Sequence, residues 1–180
     1  TSAVVSMLAQ TIHDPPPVLS LQNGLGNIEK IEHLIGRKKT IGGRVIFGVE
    51  YKSPGLVMVT VAADKTYIGG LQDGISGEYV NRIAGLFTDA GIPTAPTENI
   101  LQFIWGKALY NCSLNPLATI LNVHYGMLLS NDATRQIIQK ILEEIFALTS
   151  CLQLNLEWQT AEEYAHVLFN ELIPRTFKHH

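Results

Sequence analysis

The sequence predicts an α/β region followed by an all-helical region, and two observations support this fold class. Strand-forming runs alternate with helical segments up to about residue 95, and after residue 98 the strand signals stop and helical periodicity continues. With 180 residues, of which 46% are hydrophobic and 16% charged, the chain is long enough to bury a sizeable core. We therefore place a domain boundary near residues 92–98, which separates domains 1–95 and 96–180.

The first region is predicted to contain a mixed sheet. Residues 18–21 form a short apolar run, as is typical of a buried parallel strand, and a turn and a helix follow it. The next strands are expected to be antiparallel and to extend or cover that sheet. The predicted strands lie at 18–21, 45–47, 56–59 and 65–68, and the predicted helices lie at 1–13, from about 27 to 35, and at 76–90.

The second region is predicted to consist of helices at 98–114, after Pro116, at 131–152 and at 157–172. Pro116 lacks an N–H group and disfavours helical geometry in the residue before it, so we expect the first of these helices to stop or bend there. Residues 122–130 are expected to form a loop. The helix at 131–152 has apolar residues at core spacing, namely Ile137, Ile141, Ile145 and Leu148.

Composition argues against several classes of partner. A net charge of −3 provides no broad basic surface for nucleic acid and no polybasic segment for a membrane surface. The apolar runs are shorter than the roughly 20 residues that a membrane span requires, and we expect a cytoplasmic protein. Cys112 and Cys151 lack disulfide or metal-ligand spacing and are expected to be small buried hydrophobic residues. We expect no metal site, because the histidines have no ligand spacing either.

The sharpest chemical feature is a stripe of three polar residues, Lys107, Asn111 and Asn115, in an otherwise apolar helix. Their spacing of four residues places them within an arc of about 80° on one face. Reduction of a ketone develops negative charge on its oxygen, and a lysine ammonium can both stabilise that charge and release a proton. The carboxamides can hold a substrate hydroxyl or carboxylate. The alternative is an ordinary solvated helix face, which shows the same periodicity.

A second feature is the loop that contains Gln22, Asn23 and Gly24, which lies between the predicted strand 18–21 and its helix. In open α/β sheets, ligands bind at the carboxyl ends of strands, so Asn23 is a candidate contact. The alternative is a simple Asn-Gly turn. Gly24 and Gly26 approach the dinucleotide fingerprint, but Glu29 occupies the third glycine position, and the fingerprint is incomplete.

Together these segments resemble the ketopantoate reductases, also called 2-dehydropantoate 2-reductases. Residues 19–27, with the sequence LSLQNGLGN, are similar to the family's nucleotide- and substrate-contacting segment. Residues 105–117 are similar to its catalytic helix. The similarity extends over essentially the whole chain.

The resemblance implies a role for each matching residue. Lys107 corresponds to the general acid, Asn111 and Asn115 to substrate-binding asparagines, and Asn23, with Gln22 and Gly24 beside it, to the cofactor contact. Asn23 also corresponds to a substrate contact. Glu144 matches an acidic position in the site, although Glu143 and Glu144 also fit an exposed acidic pair.

The family also implies NADPH as cofactor, a small-molecule 2-keto acid as substrate, and a Rossmann-type domain followed by an all-helical domain. Its place would be in pantothenate and coenzyme A synthesis. We expect the family's glycine-rich loop to precede Thr1 and further substrate residues to follow His180, so that residues 1–180 alone would lack turnover. The hypotheses left open are a related keto acid as substrate, a homodimer, and an inactive helical oligomerisation module.

Overall fold

The computed structural model describes residues 1–62 and 64–175 and divides the chain into two compact units, Thr1–Ile104 and Trp105–His180. The first unit contains α/β structure, as predicted. Its elements are α1 Ser2–Thr11, β1 Val18–Ser20, α2 Asn27–Ile35, a 3₁₀ turn Arg37–Lys39, β2 Thr40–Arg44, β3 Phe47–Ser53, β4 Leu56–Ala62, β5 Thr66–Gly70, α3 Gly77–Asp89 and β6 Thr94–Pro96.

Four of these strands form a mixed sheet in the order β1-β2-β5-β6. β1 runs parallel to β2, β2 antiparallel to β5, and β5 parallel to β6. The mixed sheet and the strand-turn-helix arrangement of β1 and α2 confirm the predicted fold class. β6 was not predicted, because three residues that end in a proline show no strand periodicity.

Side chains from both faces of this sheet are buried. Ile41 of β2 and Ile68 of β5 pack with Val80 and Ala84 of α3 to form a core cluster on one face. On the other face, Ile28 of α2 lies over Gly42 of β2, and it is only 4% exposed. The amphipathic helices therefore bury their apolar stripes against the sheet, as expected for an α/β layer.

The strands β3 and β4 pair with each other in a separate two-stranded sheet, rather than extending the four-stranded one. Its apolar side chains are largely exposed, with Tyr51 at 67% and Val59 at 61% of their accessible surface. The strand at 56–59 is confirmed and extends to residue 62, whereas Val45 and Ile46 precede β3.

The second unit is helical, as predicted. Helix α4, Ile100–Leu121, begins in the first unit and continues in the second; it is followed by α5 Tyr125–Leu128, α6 Asp132–Cys151, α7 Ala161–Val167, a π turn Leu168–Leu172 and α8 Ile173–Arg175. One cluster of buried residues forms its core, including Leu109, Leu114, Leu128, Leu142 and Leu168. α7 begins at residue 161 because the Thr160 side chain caps it, accepting the Glu163 backbone N–H at 3.1 Å.

The prediction that the helix stops at Pro116 is wrong, since α4 continues to Leu121 with Pro116 inside it. A proline removes one backbone hydrogen bond, which favours a break. On either side of it, Leu114 and Ala118 are 0% and 2% exposed within the core. Packing of this face offsets the missing hydrogen bond. The predicted loop at 122–130 likewise contains a helix, α5.

The core face predicted for α6 is wrong at Ile137 and Leu148, whereas Ile141 is half-buried and Ile145 packs partly against the core. The buried positions are Thr134, Ile138, Leu142, Phe146 and Thr149, whereas Ile137 and Leu148 are 45% and 49% exposed. Ile137, Ile141 and Ile145 have the same spacing as Ile138, Leu142 and Phe146, and all six are apolar, so periodicity does not separate the two faces. Thr134 fixes the choice, because its buried hydroxyl shares its one hydrogen between the Leu128 and Asn131 carbonyls.

The prediction that both cysteines are buried is also wrong, because Cys112 and Cys151 are exposed thiols. Cys112 lies on α4 between the half-buried Asn111 and the buried Ser113, and Cys151 is the last residue of α6. Among the described residues, no helix is both long enough and apolar enough to cross a membrane.

Candidate functional site

The predicted polar stripe lies on α4, where Lys107, Asn111 and Asn115 follow one another at successive turns of the continuous helix Ile100–Leu121. Lys107 and Asn111 are half-buried and Asn115 is exposed. The neighbouring Leu109 is fully buried in the core of the second unit, while Trp105 and Tyr110 pack partly against it. The polar stripe is therefore set beside a packed apolar face and is reachable by a ligand at Asn115.

Tyr125 belongs to this group, although no sequence pattern identified it. Its hydroxyl donates a hydrogen bond of 2.5 Å to Asn115 Oδ1. The Tyr110 ring meets the Tyr125 ring edge to face, with ring centroids 5.7 Å apart. The signal in the sequence was weak: a single tyrosine in a segment interpreted as a loop. It acquires its neighbours only because α5 forms and packs beside α4.

Burial raises the pKa of Tyr125, and the nearby Tyr110 adds to the effect. The side chain of Tyr125 is only 5% exposed. The phenol therefore retains its proton, and the hydrogen bond to Asn115 keeps a fixed direction, with the hydroxyl as donor and the amide oxygen as acceptor.

The second predicted group is the loop after β1, in the first unit. Asn23 and Gly24 are exposed there, and Gly24 adopts a φ of 92°, which a side chain would strain. Asn27, the first residue of α2, donates from Nδ2 to the Asn23 carbonyl at 3.1 Å. The loop thus has a fixed backbone course at the carboxyl end of a strand.

Thr1 tethers the same loop from the other side. Its hydroxyl lies 2.5 Å from Oε1 of the exposed Gln22 and 2.6 Å from Oδ1 of Asn27. Because Oε1 of Gln22 is engaged in this way, its Nε2 group is the end of the carboxamide that remains for a ligand.

The structure thus brings the predicted residues together in two sets, one on α4 and one in the loop after β1. Glu144 belongs to neither set; it occupies an exposed position of α6, and its role stays a prediction. Within residues 1–62 and 64–175, no group of three histidine, cysteine, aspartate or glutamate side chains is arranged to hold a metal ion.

Chemically, the α4 set combines a primary ammonium with two carboxamides on one helix face. An ammonium carries three donors and can release a proton, and carboxamides provide donors and acceptors in fixed planes. Such a set suits a small substrate that carries a carbonyl and a carboxylate. The loop set presents a carboxamide and a glycine backbone, which suit close approach of a larger polar ligand.

Comparison with known proteins identifies the family. Residues 1–73 match the family model described as Ketopantoate reductase PanE/ApbA, and residues 99–176 match the model described as Ketopantoate reductase PanE/ApbA C terminal. The chain is also similar to the 2-dehydropantoate 2-reductase of Aquifex aeolicus, with 36% identity over 163 residues, which are 91% of this chain and 53% of that protein.

Two solved structures share the fold. The 2-dehydropantoate 2-reductase of Geobacter metallireducens GS-15 superposes with a TM-score of 0.77 at 24% identity, covering 91% of this chain and 53% of that one. A complex of D-mandelate dehydrogenase with NADH superposes with a TM-score of 0.76 at 20% identity, covering 97% of this chain and 59% of that one.

The chain spans about half the length of the curated relatives that it matches, between 41% and 53% for the first four. Both segments that carry the predicted residues fall inside the matched ranges, since Asn23 lies within 1–73 and Lys107 within 99–176. Two models of one family match successive parts of the chain, and the chain belongs to the ketopantoate reductase family.

Proposed function

We propose that the protein carrying this chain reduces 2-dehydropantoate to pantoate with NADPH, and that Lys107 is the general acid. The observation that carries the proposal is the α4 stripe, in which Lys107, Asn111 and Asn115 share one helix face. The name 2-dehydropantoate 2-reductase of the Aquifex relative supports the substrate.

When bound, the reduced nicotinamide supplies a hydride to the carbonyl carbon of the keto acid. The negative charge that develops on the carbonyl oxygen is stabilised by the Lys107 ammonium, which then gives this oxygen a proton. Asn111 and Asn115 hold the substrate beside the lysine by hydrogen bonds from their carboxamides. Glu144, on α6, is proposed as an acidic residue of the site only because the family resemblance implies it.

The residues of the first unit fit a dinucleotide at the loop after β1. Asn23 is proposed to contact both cofactor and substrate, with Gln22 and the glycine backbone of Gly24 beside it. The fixed loop backbone and the exposed Asn23 side chain support this assignment. Residues 1–95 are therefore proposed as part of the cofactor domain and 96–180 as part of the substrate domain.

A second candidate substrate is another 2-keto acid. The structural similarity to D-mandelate dehydrogenase supports this alternative, because that fold also serves a 2-hydroxy acid with an aromatic group. Comparison of kcat/KM for 2-dehydropantoate and for phenylglyoxylate, each with NADPH and NADH, separates the two substrates and the two cofactors. A homodimer is part of the proposal, and sedimentation velocity tests it.

The decisive experiment follows nucleotide absorbance at 340 nm with 2-dehydropantoate as substrate. Lys107→Ala is expected to lower kcat by about 10²- to 10⁴-fold, the usual contribution of a general acid. Lys140→Ala is the matched control, because it removes the same charge from an exposed position of α6. Wild-type kcat/KM in Lys107→Ala would show that Lys107 is not the acid.

A further inference from the structure

The hydrogen bond between Tyr125 and Asn115 joins a buried donor to an exposed acceptor. Tyr125 is 5% exposed and starts α5, whereas the Asn115 side chain is exposed on α4. Their separation is 10 residues, and the bond length is 2.5 Å. A ligand at Asn115 therefore contacts a carboxamide whose oxygen already accepts a hydrogen bond from the Tyr125 hydroxyl.

This bond determines which end of the carboxamide faces a ligand. The phenol has one hydrogen to donate, and the amide has one oxygen that accepts and one NH₂ group that only donates. A flipped carboxamide would place NH₂ against the hydroxyl and leave the buried O–H group without this acceptor, which is unfavourable. Oδ1 thus stays on the phenol, and the Nδ2 hydrogens are left for the ligand.

The phenol itself has little freedom to move away. Its ring packs in the core of the second unit with Leu114 and Leu128 in the same cluster. The Tyr110 ring stands against it at an interplanar angle of 85°. Rotation of Tyr125 would break this packing, so the donor position is set by the fold rather than by the ligand.

We propose that Tyr125 is a positioning residue that holds Asn115 as a hydrogen-bond donor, and that Asn115 thereby recognises the carboxylate of the 2-keto acid. A carboxylate only accepts hydrogen bonds, so it matches an exposed NH₂ group and is repelled by an exposed amide oxygen. The inference rests on the proposed function and assigns a substrate group to one residue of that site.

Tyr125→Phe tests the proposal because it removes one hydroxyl and keeps the buried ring. KM for the keto acid is expected to rise about tenfold, with a much smaller change in kcat, since binding is weakened before the chemical step. The control is Tyr164→Phe, a buried tyrosine of α7 whose ring packs on Trp158. It is expected to leave KM unchanged.

A double-mutant cycle shows whether Tyr125 acts through Asn115. In an Asn115→Ala background, Tyr125→Phe is expected to add no further increase in KM, because the residue that it positions is absent. An equal increase in KM in both backgrounds would overturn the proposal.

The last readout does not require activity. The side-chain amide NMR signals of Asn115, assigned by their loss in Asn115→Ala, are expected to shift in Tyr125→Phe and to stay in place in Tyr164→Phe. Unchanged signals in Tyr125→Phe would overturn the positioning role. If the signals shift but the wild-type protein reduces no 2-keto acid, the proposed function fails and the carboxylate assignment with it.

Discussion

The guanidinium of Arg44 lies 4.8 Å from the centroid of the Tyr67 ring, at the place where β2 ends and β5 runs beside it. Tyr67 in turn stacks on Phe103 with ring centroids 4.0 Å apart. Arg44 is only 7% exposed, and its Nη2 donates to Asp64 Oδ2 at 2.8 Å. Because Arg44 precedes β3 and Asp64 follows β4, this contact joins the two ends of the exposed hairpin.

We expect Arg44→Ala to lower the free energy of unfolding by about 2 kcal/mol, through loss of the stacking on Tyr67 and of the charged hydrogen bond. Lys52→Ala is the comparison, since Lys52 and Glu50 form an ion pair of 2.6 Å with side-chain exposures of 40% and 54%. An exposed pair of that kind contributes roughly 0–1 kcal/mol. Urea unfolding measures the free energy of unfolding of both variants. An equal loss in the two would mean that the buried stack contributes nothing beyond an exposed ion pair.

Gly69 lies where the sheet approaches the chain before α4. A Cβ there would come within less than 3.0 Å of the Thr97 carbonyl oxygen, and backbone does not yield as a side chain does. Gly69→Ala is expected to cost about 1–3 kcal/mol. Gly85→Ala, in α3 with nothing within 4 Å of the added Cβ, is expected to stabilise by about 0.5–1 kcal/mol. Thermal unfolding of both variants checks the opposite signs.

Asn27 is expected to affect nucleotide binding without touching the nucleotide. Its Nδ2 holds the Asn23 carbonyl at 3.1 Å, so Asn27→Ala releases the loop after β1. If the proposed cofactor site is right, Kd for NADPH rises roughly three- to tenfold, equivalent to about 1 kcal/mol for one hydrogen bond. Glu29→Ala on the same helix is the control. Fluorescence titration gives the Kd for NADPH of both variants. Identical Kd values would show that the loop after β1 is not part of the cofactor site.

The stability of the second unit is expected to fall at alkaline pH. Burial, with a smaller effect of Tyr110, raises the pKa of Tyr164, so the folded state keeps a proton that the unfolded chain releases above about pH 10. This stabilisation is complete below pH 10 and is lost as the pH rises through the raised pKa. Unfolding by urea between about pH 8 and 11 should show the decline. Tyr164→Phe should lessen the decline without abolishing it, because burial also raises the pKa of Tyr125, whereas the exposed Tyr51→Phe should leave the decline unchanged.

The sequence predicted that an α/β region precedes a helical region. This was possible because the apolar periods of strands, two residues, and of helices, 3.6 residues, are local properties of the chain. The helix at 76–90 and the strand at 18–21 are found at 77–89 and 18–20 for that reason. Whether Ile137 or Ile138 is the core position on α6 is not decided by local sequence. It depends on Thr134 and on the Leu128 carbonyl, which belongs to another helix.

The placement of the candidate residues was predicted to a similar extent, and their roles stay predictions. Spacing alone placed Lys107, Asn111 and Asn115 on one helix face, because they lie on one element. Tyr125 could not be predicted from the sequence, because its contact with Asn115 joins two different helices. The continuation of α4 through Pro116 could not be predicted for a related reason. The contacts that offset the missing backbone hydrogen bond come from the core around Leu114 and not from the helix itself.

Gly42 and Gly69 are register partners on adjacent strands, and Ile100 would contact a Cβ on either of them, at 3.1 Å in both cases. Ile28 of α2 fills the remaining space above Gly42. Gly42, Ile28 and Ile100 therefore share one volume, and Ile100 also borders Gly69. A larger residue at Gly42 should therefore coincide with a smaller one at Ile28 or Ile100 in the same relative, whereas at Gly69 the Thr97 carbonyl keeps the space closed even when Ile100 is smaller.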